Sequence, residues 1–327
     1  MGRLISGLLT FLLLGLLAGG GLVAWGYAQF TRPGPLQAQT ALVIPRGSGV
    51  ETIARRLEQA GILRHPELFM VAVKIKGTAG SLKAGEYAFK PGISPREVMA
   101  LLQSGETVVR RLTIAEGLTV RQIASQLAAV EGLDGNPADL PPEGSLLPET
   151  YHFSYGDERS EILRRMRNAM RETLDRLWEQ RAPDLPFDTK EEALVLASIV
   201  ERETAIPAER PRVAAVFVNR LRKGMRLQSD PTVIYGLSDG LGVLERPLLR
   251  VDLQKDHPYN TYTRDGLPPA PICNPGRDSL RAVLNPISSD EYYFVADGSG
   301  GHAFARTLDE HNANVRRWRQ FQREQRQ

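Results

Sequence analysis

The segment best suited to chemistry is an apolar stretch that ends in carboxylates. Residues 193–204 read Ala-Leu-Val-Leu-Ala-Ser-Ile-Val-Glu-Arg-Glu-Thr, and the spacing of Thr189 and Glu192 predicts a capped helix that runs into this stretch. Apolar surroundings and the negative pole of a helix C-terminus both disfavour an ionised carboxylate, so Glu201 is expected to stay protonated near neutral pH. Such an acid can protonate the leaving oxygen when a glycosidic bond is cleaved.

Two alternatives bear on this interpretation of Glu201. Glu203 lies two residues further on, and helical geometry predicts that it points to roughly the opposite side of the helix. Glu201 could also serve a structural purpose by pairing with an arginine such as Arg220 or Arg226. Spacing alone leaves the catalytic and the structural role of Glu201 equally open.

Other familiar catalytic patterns do not occur in the sequence. There is no HExxH, GxSxG or Walker A motif, and Cys273 is the single cysteine, which excludes an internal disulfide and a multi-cysteine metal site. The net charge of +3, from 41 basic and 38 acidic residues, does not predict nucleic-acid binding. No metal and no cofactor are therefore expected. The histidines are scattered along the chain: His65, His152, His257, His302 and His311.

The N-terminus carries a candidate membrane anchor. Residues 4–27 contain no charge, and a transmembrane helix needs about 20 apolar residues. A cleaved signal peptide is the alternative, but this run is longer than the apolar core of a signal. Arg3 favours a cytoplasmic N-terminus, which would leave the rest of the chain outside the cytoplasm. We therefore expect a transmembrane segment within residues 1–30 and a stiff linker over 31–40.

The next region, residues 41–143, contains an internal repeat. Each copy predicts a short strand, a glycine turn and an amphipathic helix. This βα pattern resembles LysM-type modules that bind N-acetylglucosamine polymers, although a purely structural spacer is equally compatible with it. The first copy consists of Ile44, Gly47, Val50, Ile53, Ala54 and Leu57, and the second, 70 residues later, of Ile114, Gly117, Val120, Ile123, Ala124 and Leu127.

The remaining residues, 144–327, predict a mixed α+β domain. A strand-like segment over 144–155 is followed by helices over 161–180, 191–204 and 208–223, a short helix over 278–284, a hairpin over 292–304 and a terminal helix from Asp309. The irregular stretch between the helices supplies candidates for a glycan-binding groove, each of which could instead stabilise a loop, with Asp230 as a helix N-cap. These candidates are Gln228, Asp230, Tyr259, Asn260, Tyr262 and Asn274.

Several motifs in this half together resemble the endolytic murein transglycosylase family, also called YceG-like or MltG. The resemblance covers nearly the whole chain, and it implies the same order of parts: one membrane span, a LysM-like region and a C-terminal catalytic domain. The motifs are ASIVERET at 197–204, VNRL at 218–221, GMRLQSDPTVIYG at 224–236, YNTY at 259–262, GLPP at 266–269 and YFVADG at 293–298.

The resemblance implies a lyase and assigns the catalytic acid to Glu201. The enzyme would cut the MurNAc-β-1,4-GlcNAc bond inside nascent glycan strands and leave 1,6-anhydroMurNAc ends, which requires only one carboxylate. Peptidoglycan and the inner membrane would be its partners, together with peptidoglycan synthases. Two other functions stay open: a muramidase that uses Glu201 with Asp230 as second carboxylate, and a non-catalytic scaffold that binds peptidoglycan.

Overall fold

The computed structural model describes residues 2–137 and 139–325, and it has the mixed α+β architecture expected from the sequence. The chain forms two compact units. The smaller unit contains the residues up to Arg110 together with His152–Asp157, and the larger unit contains Arg111–Tyr151 and the residues from Glu158 onward. The second copy of the repeat therefore falls in the larger unit.

The smaller unit begins with a long apolar helix, α1 (Gly2–Thr31). Within the described residues, Ser6–Thr31 is the one helical stretch long and apolar enough to cross a membrane. Most of its side chains are exposed, but Phe30 near its end is buried in the core of the smaller unit. The helix is thus compatible with a single-pass anchor whose last turn belongs to a folded module.

The predicted linker after α1 is fixed to the same module. The Gly34 N–H group donates to the Gly92 carbonyl at 3.1 Å, and the Gly92 N–H group donates to the Leu36 carbonyl at 2.8 Å. Leu36 is buried, and a Cβ atom on Gly34 would lie only 2.4 Å from the Ile93 carbonyl oxygen. Close backbone contact thus requires glycine at position 34 and holds this segment in place.

Two strands and three helices complete the regular structure of the smaller unit. The strands pair antiparallel with Thr40 opposite Phe89, and Tyr87 and Phe89 fill the core beneath the helices. Ser94 and Glu97 form the predicted capping box at the start of the last helix. The elements are β1 (Thr40–Ile44), α2 (Val50–Gln59), α3 (Pro66–Ile75), β2 (Gly85–Phe89) and α4 (Pro95–Ser104).

The larger unit is mainly helical, and its strands are short. Three strands (β3, β5 and β6) contain residues assigned to both units. The elements in chain order are β3 (Val109–Thr113), α5 (Val120–Ala129), β4 (Leu133–Asp134), β5 (Thr150–Ser154), β6 (Asp157–Glu158), α6 (Arg159–Glu179), α7 (Lys190–Glu203), α8 (Arg210–Arg222), α9 (Asp230–Leu237), α10 (Arg277–Leu284), β7 (Tyr293–Ala296), β8 (His302–Ala305) and α11 (Leu308–Glu324).

Helix α7 is the centre of the larger unit. It packs against α6, α8 and α10, and its residues from Val195 to Glu201 are all buried. Even its serine is used internally, because the Ser198 hydroxyl donates to the Val195 carbonyl at 2.7 Å and accepts from the Ile272 N–H group at 3.0 Å. A helix that is apolar all round is typical of such a buried position.

Most predicted elements are confirmed, with three local corrections. The repeat forms strand, glycine turn and helix in both copies, and the hairpin and terminal helix are present. The strand predicted over 144–155 is shorter, at Thr150–Ser154, and α8 begins at Arg210 after a 3-10 turn at Pro207–Glu209. Asp230 is the first residue of α9, so Ser229 occupies the N-cap position predicted for Asp230.

The capping box of α7 generates a stability prediction. The Thr189 hydroxyl accepts from the Glu192 N–H group, while the Glu192 carboxylate accepts from the Thr189 N–H group at 3.0 Å. Thr189→Ala should therefore lower the free energy of unfolding by about 1 kcal/mol. Thr189→Ser keeps the cap and serves as the control. The measurement is the thermal unfolding midpoint of both full-length variants in detergent, and equal midpoints would contradict the prediction.

Candidate active site

Two carboxylates at the C-terminal end of α7 lie in very different environments. The Glu201 side chain is only 3% exposed, and the Arg210 guanidinium donates to its Oε1 atom at 2.9 Å. Its Oε2 atom accepts from the Gly276 N–H group at 2.8 Å. Burial raises the pKa of Glu201, but the Gly276 hydrogen bond and the Arg210 charge oppose this rise. Both carboxylate oxygens are therefore occupied by donors that suit the ionised form.

The charged groups around Glu201 form an ionic cluster. Arg210, itself buried, also donates to the Glu116 carboxylate at 2.7 Å. Gly276 is the N-cap residue of α10, whose positive pole favours a negative charge at this point. A Cβ atom on Gly276 would meet the Glu116 carboxylate at 1.8 Å, so only glycine allows this approach. Glu201 thus pairs with an arginine, as the structural alternative expected, but the partner is Arg210 instead of Arg220 or Arg226.

Glu203 is partly exposed, and its side chain is directed to the segment that contains Ser229, away from the cluster around Glu201. Its carboxylate accepts a hydrogen bond from the Ser229 hydroxyl. Burial of the carboxylate raises its pKa to about 7, and the nearby negative charge of Asp230 acts in the same direction. The Ser229 hydrogen bond and the Arg220 guanidinium only partly oppose this rise. Glu203 is thus a carboxyl group that is both accessible and able to hold a proton near neutral pH.

The segment facing Glu203 is held in an unusual backbone conformation. Gln228 has a φ of 53°, in the left-handed region that few residues other than glycine adopt. The Gln228 N–H group donates to the Thr261 carbonyl at 3.1 Å, and the Ser229 N–H group donates to the Thr261 hydroxyl at 2.9 Å. These bonds fix the Ser229 hydroxyl in position toward Glu203. Strained backbone of this kind is concentrated at functional sites.

Asp230 and Tyr262, two of the predicted groove residues, lie beside this segment. The Tyr262 hydroxyl donates to Asp230 Oδ1 at 2.6 Å. Burial, with the Asp230 charge, raises the pKa of the Tyr262 phenol, which therefore remains a hydrogen-bond donor. Tyr259, a third candidate, is half-buried and packs its ring against Tyr235 at 4.9 Å between centroids.

The remaining two candidates, Asn260 and Asn274, are buried within the fold. The Asn260 amide donates to the Lys255 carbonyl at 2.7 Å and its oxygen accepts from the Tyr262 N–H group at 2.9 Å. The Asn274 amide donates to the Leu118 carbonyl at 2.9 Å, and its oxygen accepts from the Leu146 N–H group at 2.9 Å. Both side chains therefore stabilise loops.

A second polar cluster lies beyond Glu203, and no motif in the sequence indicated it. The Glu209 carboxylate contacts His302 Nδ1 at 2.7 Å and accepts from the Thr204 hydroxyl at 3.1 Å. The His302 N–H group of the backbone also donates to Glu209, at 2.9 Å. Because Thr204 directly follows the end of α7, this cluster fixes the chain where it leaves Glu203. Among the described residues, no group of three or more His, Cys, Asp or Glu side chains could hold a metal ion.

Comparisons with known proteins agree with the sequence motifs. The model of the YceG-like family matches residues 42–317. An endolytic murein transglycosylase of Bacillus subtilis is 33% identical over 304 residues, which cover 82% of both chains. One of Streptococcus pneumoniae is 30% identical over 83% of this chain and 57% of its own length.

A solved structure extends the similarity to the fold. A yceG-like protein of Listeria monocytogenes is 32% identical and superposes with a TM-score of 0.53, over 85% of this chain and 99% of that chain. The family match covers most of the chain described above, including both glutamates of α7 and the segments that face them. This chain therefore belongs to the YceG-like family.

Proposed function

We propose that this protein is an endolytic peptidoglycan lytic transglycosylase, a lyase that acts in cell wall assembly. It cleaves the MurNAc-β-1,4-GlcNAc bond within glycan strands and leaves 1,6-anhydroMurNAc ends. Family membership and the names of the relatives support the activity. The observation that carries the mechanism is the carboxyl group of Glu203, a partly exposed residue, whose pKa is raised to about 7.

Glu203 is our proposed proton donor, in place of Glu201, to which the family resemblance assigned that role. A general acid must reach the glycosidic oxygen and must carry a proton at the working pH. Glu201 is 3% exposed and both of its oxygens are bound to cationic or backbone donors. Glu203 is a partly exposed residue, and within the described residues its hydrogen-bond partner is the neutral Ser229 hydroxyl. The function proposed for Glu201 is to hold Arg210 and the start of α10 in place.

The proposed reaction uses Glu203 twice. In the first step its carboxylic acid donates a proton to the oxygen that links MurNAc to GlcNAc, and that bond breaks. The resulting carboxylate then takes the proton from the C6 hydroxyl of the same MurNAc residue, whose oxygen bonds to C1 and closes the 1,6-anhydro ring. Because this nucleophile is part of the reacting sugar, no second carboxylate is needed to activate water.

Four of the six predicted groove residues fit the proposed glycan site. Gln228 and Asp230 are exposed next to Ser229, while Tyr259 and Tyr262 are half-buried and offer ring faces to a sugar. Asn260 and Asn274 do not belong to the proposed groove, because their side chains are buried and bonded to backbone groups.

The anchor gives the proposed location of the enzyme. Helix α1 would hold the chain in the cytoplasmic (inner) membrane as a single-pass protein, with the N-terminus in the cytoplasm and the catalytic domain outside it. Strands near the membrane surface would then be its substrate, and peptidoglycan synthases its neighbours. The LysM-like region over 41–143 would contact glycan in this arrangement, and the catalytic domain would begin at residue 144.

The assignment of the proton donor can be tested by replacing each glutamate separately. Glu203→Gln should lower kcat by about 10²- to 10⁴-fold, because the amide cannot donate the required proton. Glu201→Gln removes one of the two carboxylates to which the buried Arg210 donates, while Glu116 remains at 2.7 Å, and should lower the free energy of unfolding by about 2 kcal/mol. The measurements are the release of soluble products from purified peptidoglycan and the unfolding midpoint of each variant.

The stability readout separates the two roles even if both variants lose activity. The native pKa of Glu203, about 7, exceeds the ordinary value of 4.5, so wild-type stability falls as the pH rises between these values. Glu203→Gln removes this loss and should raise the free energy of unfolding at pH 8 by about 1–2 kcal/mol, after allowance for partial exposure. A well-folded, inactive Glu201→Gln protein beside an active Glu203→Gln protein would return the catalytic role to Glu201.

The raised pKa also predicts the pH dependence of the reaction. Since the free enzyme must hold a proton on Glu203, kcat/KM should fall above a pH of about 7. Asp230→Asn removes the neighbouring negative charge, so kcat/KM should begin to fall at a lower pH than in the wild type. An unchanged pH dependence in Asp230→Asn would contradict the proposed effect of Asp230 on the pKa of Glu203. Asp265→Asn is a suitable control, because that exposed carboxylate pairs with Arg226 instead.

The products distinguish the proposed lyase from a muramidase. Digestion of peptidoglycan in ¹⁸O-labelled water should give unlabelled 1,6-anhydroMurNAc ends, because water takes no part in the reaction. Mass spectrometry of the released fragments measures both the end group and the label. Labelled reducing ends would instead indicate hydrolysis with Asp230 as second carboxylate. Absence of any product from folded protein would favour the scaffold function.

A further inference from the structure

An apolar groove lies between the end of the anchor helix and α3. It encloses about 590 Å³, and one helical face from each side lines it. The two helices touch directly, because the position of a Cβ atom on Gly26 would be 3.7 Å from the Leu68 side chain. Helix α1 contributes Leu22, Val23, Gly26, Tyr27 and Phe30, and α3 contributes Leu68, Val71, Ala72, Ile75 and the following Lys76, with Arg96 of α4 at the rim.

Two apolar side chains in the outer part of this groove are largely exposed. Val71 is 52% exposed and Ile75 is 80% exposed, on a helix whose other face supplies Phe69 and Val73 to the core. Burial of such apolar side chains against a bilayer would be favourable. Neither side chain has a covering partner within the described residues.

The position of the groove along α1 indicates what covers it. About 20 helical residues cross the hydrocarbon core of a bilayer, and counted from Ser6 this length ends near Trp25. Leu22 and Val23 would therefore lie in the last turn within the hydrocarbon, and Gly26 at its boundary. Trp25 packs edge-on against His65, directly before α3, with 5.7 Å between ring centroids. Helix α3 thus lies at the level of the lipid headgroups.

Two basic side chains complete the groove on the side away from the hydrocarbon. The Lys76 ammonium lies 5.8 Å from the centre of the Phe30 ring, at the end of α3. Arg96 is exposed in the first turn of α4. The neighbouring Glu97 carboxylate is engaged by Ser94 in the capping box. Apolar walls with a cationic rim match an acyl chain attached to an anionic headgroup.

We propose that this groove binds an anionic phospholipid from the membrane leaflet next to the smaller unit. An acyl chain lies between α1 and α3 against Val71 and Ile75, and the phosphate of the headgroup binds Lys76 and Arg96. The proposal rests on α1 being a membrane anchor. Continuity of the groove with the lipid-facing surface of α1 is the reason for choosing a lipid over a protein partner.

The test uses the full chain in detergent micelles, titrated with dioleoyl-phosphatidylglycerol or with dioleoyl-phosphatidylcholine. Native mass spectrometry counts the lipids that stay bound. The chain should retain phosphatidylglycerol in preference to phosphatidylcholine. The double variant Lys76→Gln/Arg96→Gln should weaken phosphatidylglycerol binding by about 10- to 30-fold, on the scale of two basic charges at a membrane surface.

A matched control removes the same two charges elsewhere on the smaller unit. Arg56 and Lys90 are exposed and do not line the groove, so Arg56→Gln/Lys90→Gln should bind phosphatidylglycerol like the wild type. Val71→Ser/Ile75→Ser should weaken the binding of both lipids, because the acyl chain loses its contacts. Equal binding by the wild type and Lys76→Gln/Arg96→Gln, or equal weakening by the two charge variants, would overturn the proposal.

Failure of the anchor can be recognised separately. Alkaline carbonate extraction of membranes should leave the full chain in the pellet, and its release would overturn both the anchor and the lipid site. A chain that stays in the pellet but shows no lipid preference would overturn the lipid site alone.

Discussion

The larger unit depends on the buried ion pair between Glu201 and Arg210. This pair joins the end of α7 to the start of α8, and through the Gly276 N–H group it also holds the start of α10. Buried ion pairs add little net stability, but loss of one partner leaves an uncompensated charge and is costly. The pair therefore acts mainly as a constraint that permits one arrangement of the three helices. The position of Glu203, two residues after Glu201, follows from that arrangement.

Two glutamates separated by one residue illustrate how environment determines chemistry. Each is removed from bulk water to some degree, and burial raises the pKa of each. Glu201 has a cation and a backbone donor in contact, whereas Glu203 has a neutral hydroxyl in contact and another carboxylate, Asp230, nearby. The contacts of Glu201 oppose the rise in its pKa that burial causes, whereas Asp230 adds to the rise in the pKa of Glu203, which reaches about 7. The environment of Glu203 therefore suits the proton donor proposed above.

Local features of the fold could be predicted from the sequence because short-range rules determine them. The capping boxes expected at Ser94 and Thr189 form, and the hairpin strands lie where alternation and glycines indicate. The facing of Glu203 could not be predicted in this way. Helical geometry correctly turns it away from Glu201, but α7 is enclosed on nearly all sides, so the opposite side faces another part of the protein. That part, Ser229, lies 26 residues further along the chain.

The ion-pair partner of Glu201 also could not be predicted from the sequence. Arg210 could not be distinguished from Arg220 or Arg226 by spacing, because α8 begins only after a 3-10 turn that changes which face meets α7.

At the N-terminus, the apolar run of residues predicts helix α1 but does not predict how that helix is attached to the folded module. Phe30 and Leu36 lie in the core of the smaller unit, and the Gly34 N–H group donates to the Gly92 carbonyl, so packing and hydrogen bonds join the end of the helix to the module. In a bilayer thinner or thicker than the apolar length of α1, a membrane-spanning α1 would change its tilt. These contacts would pass that rotation to the module, whose orientation would then depend on lipid thickness.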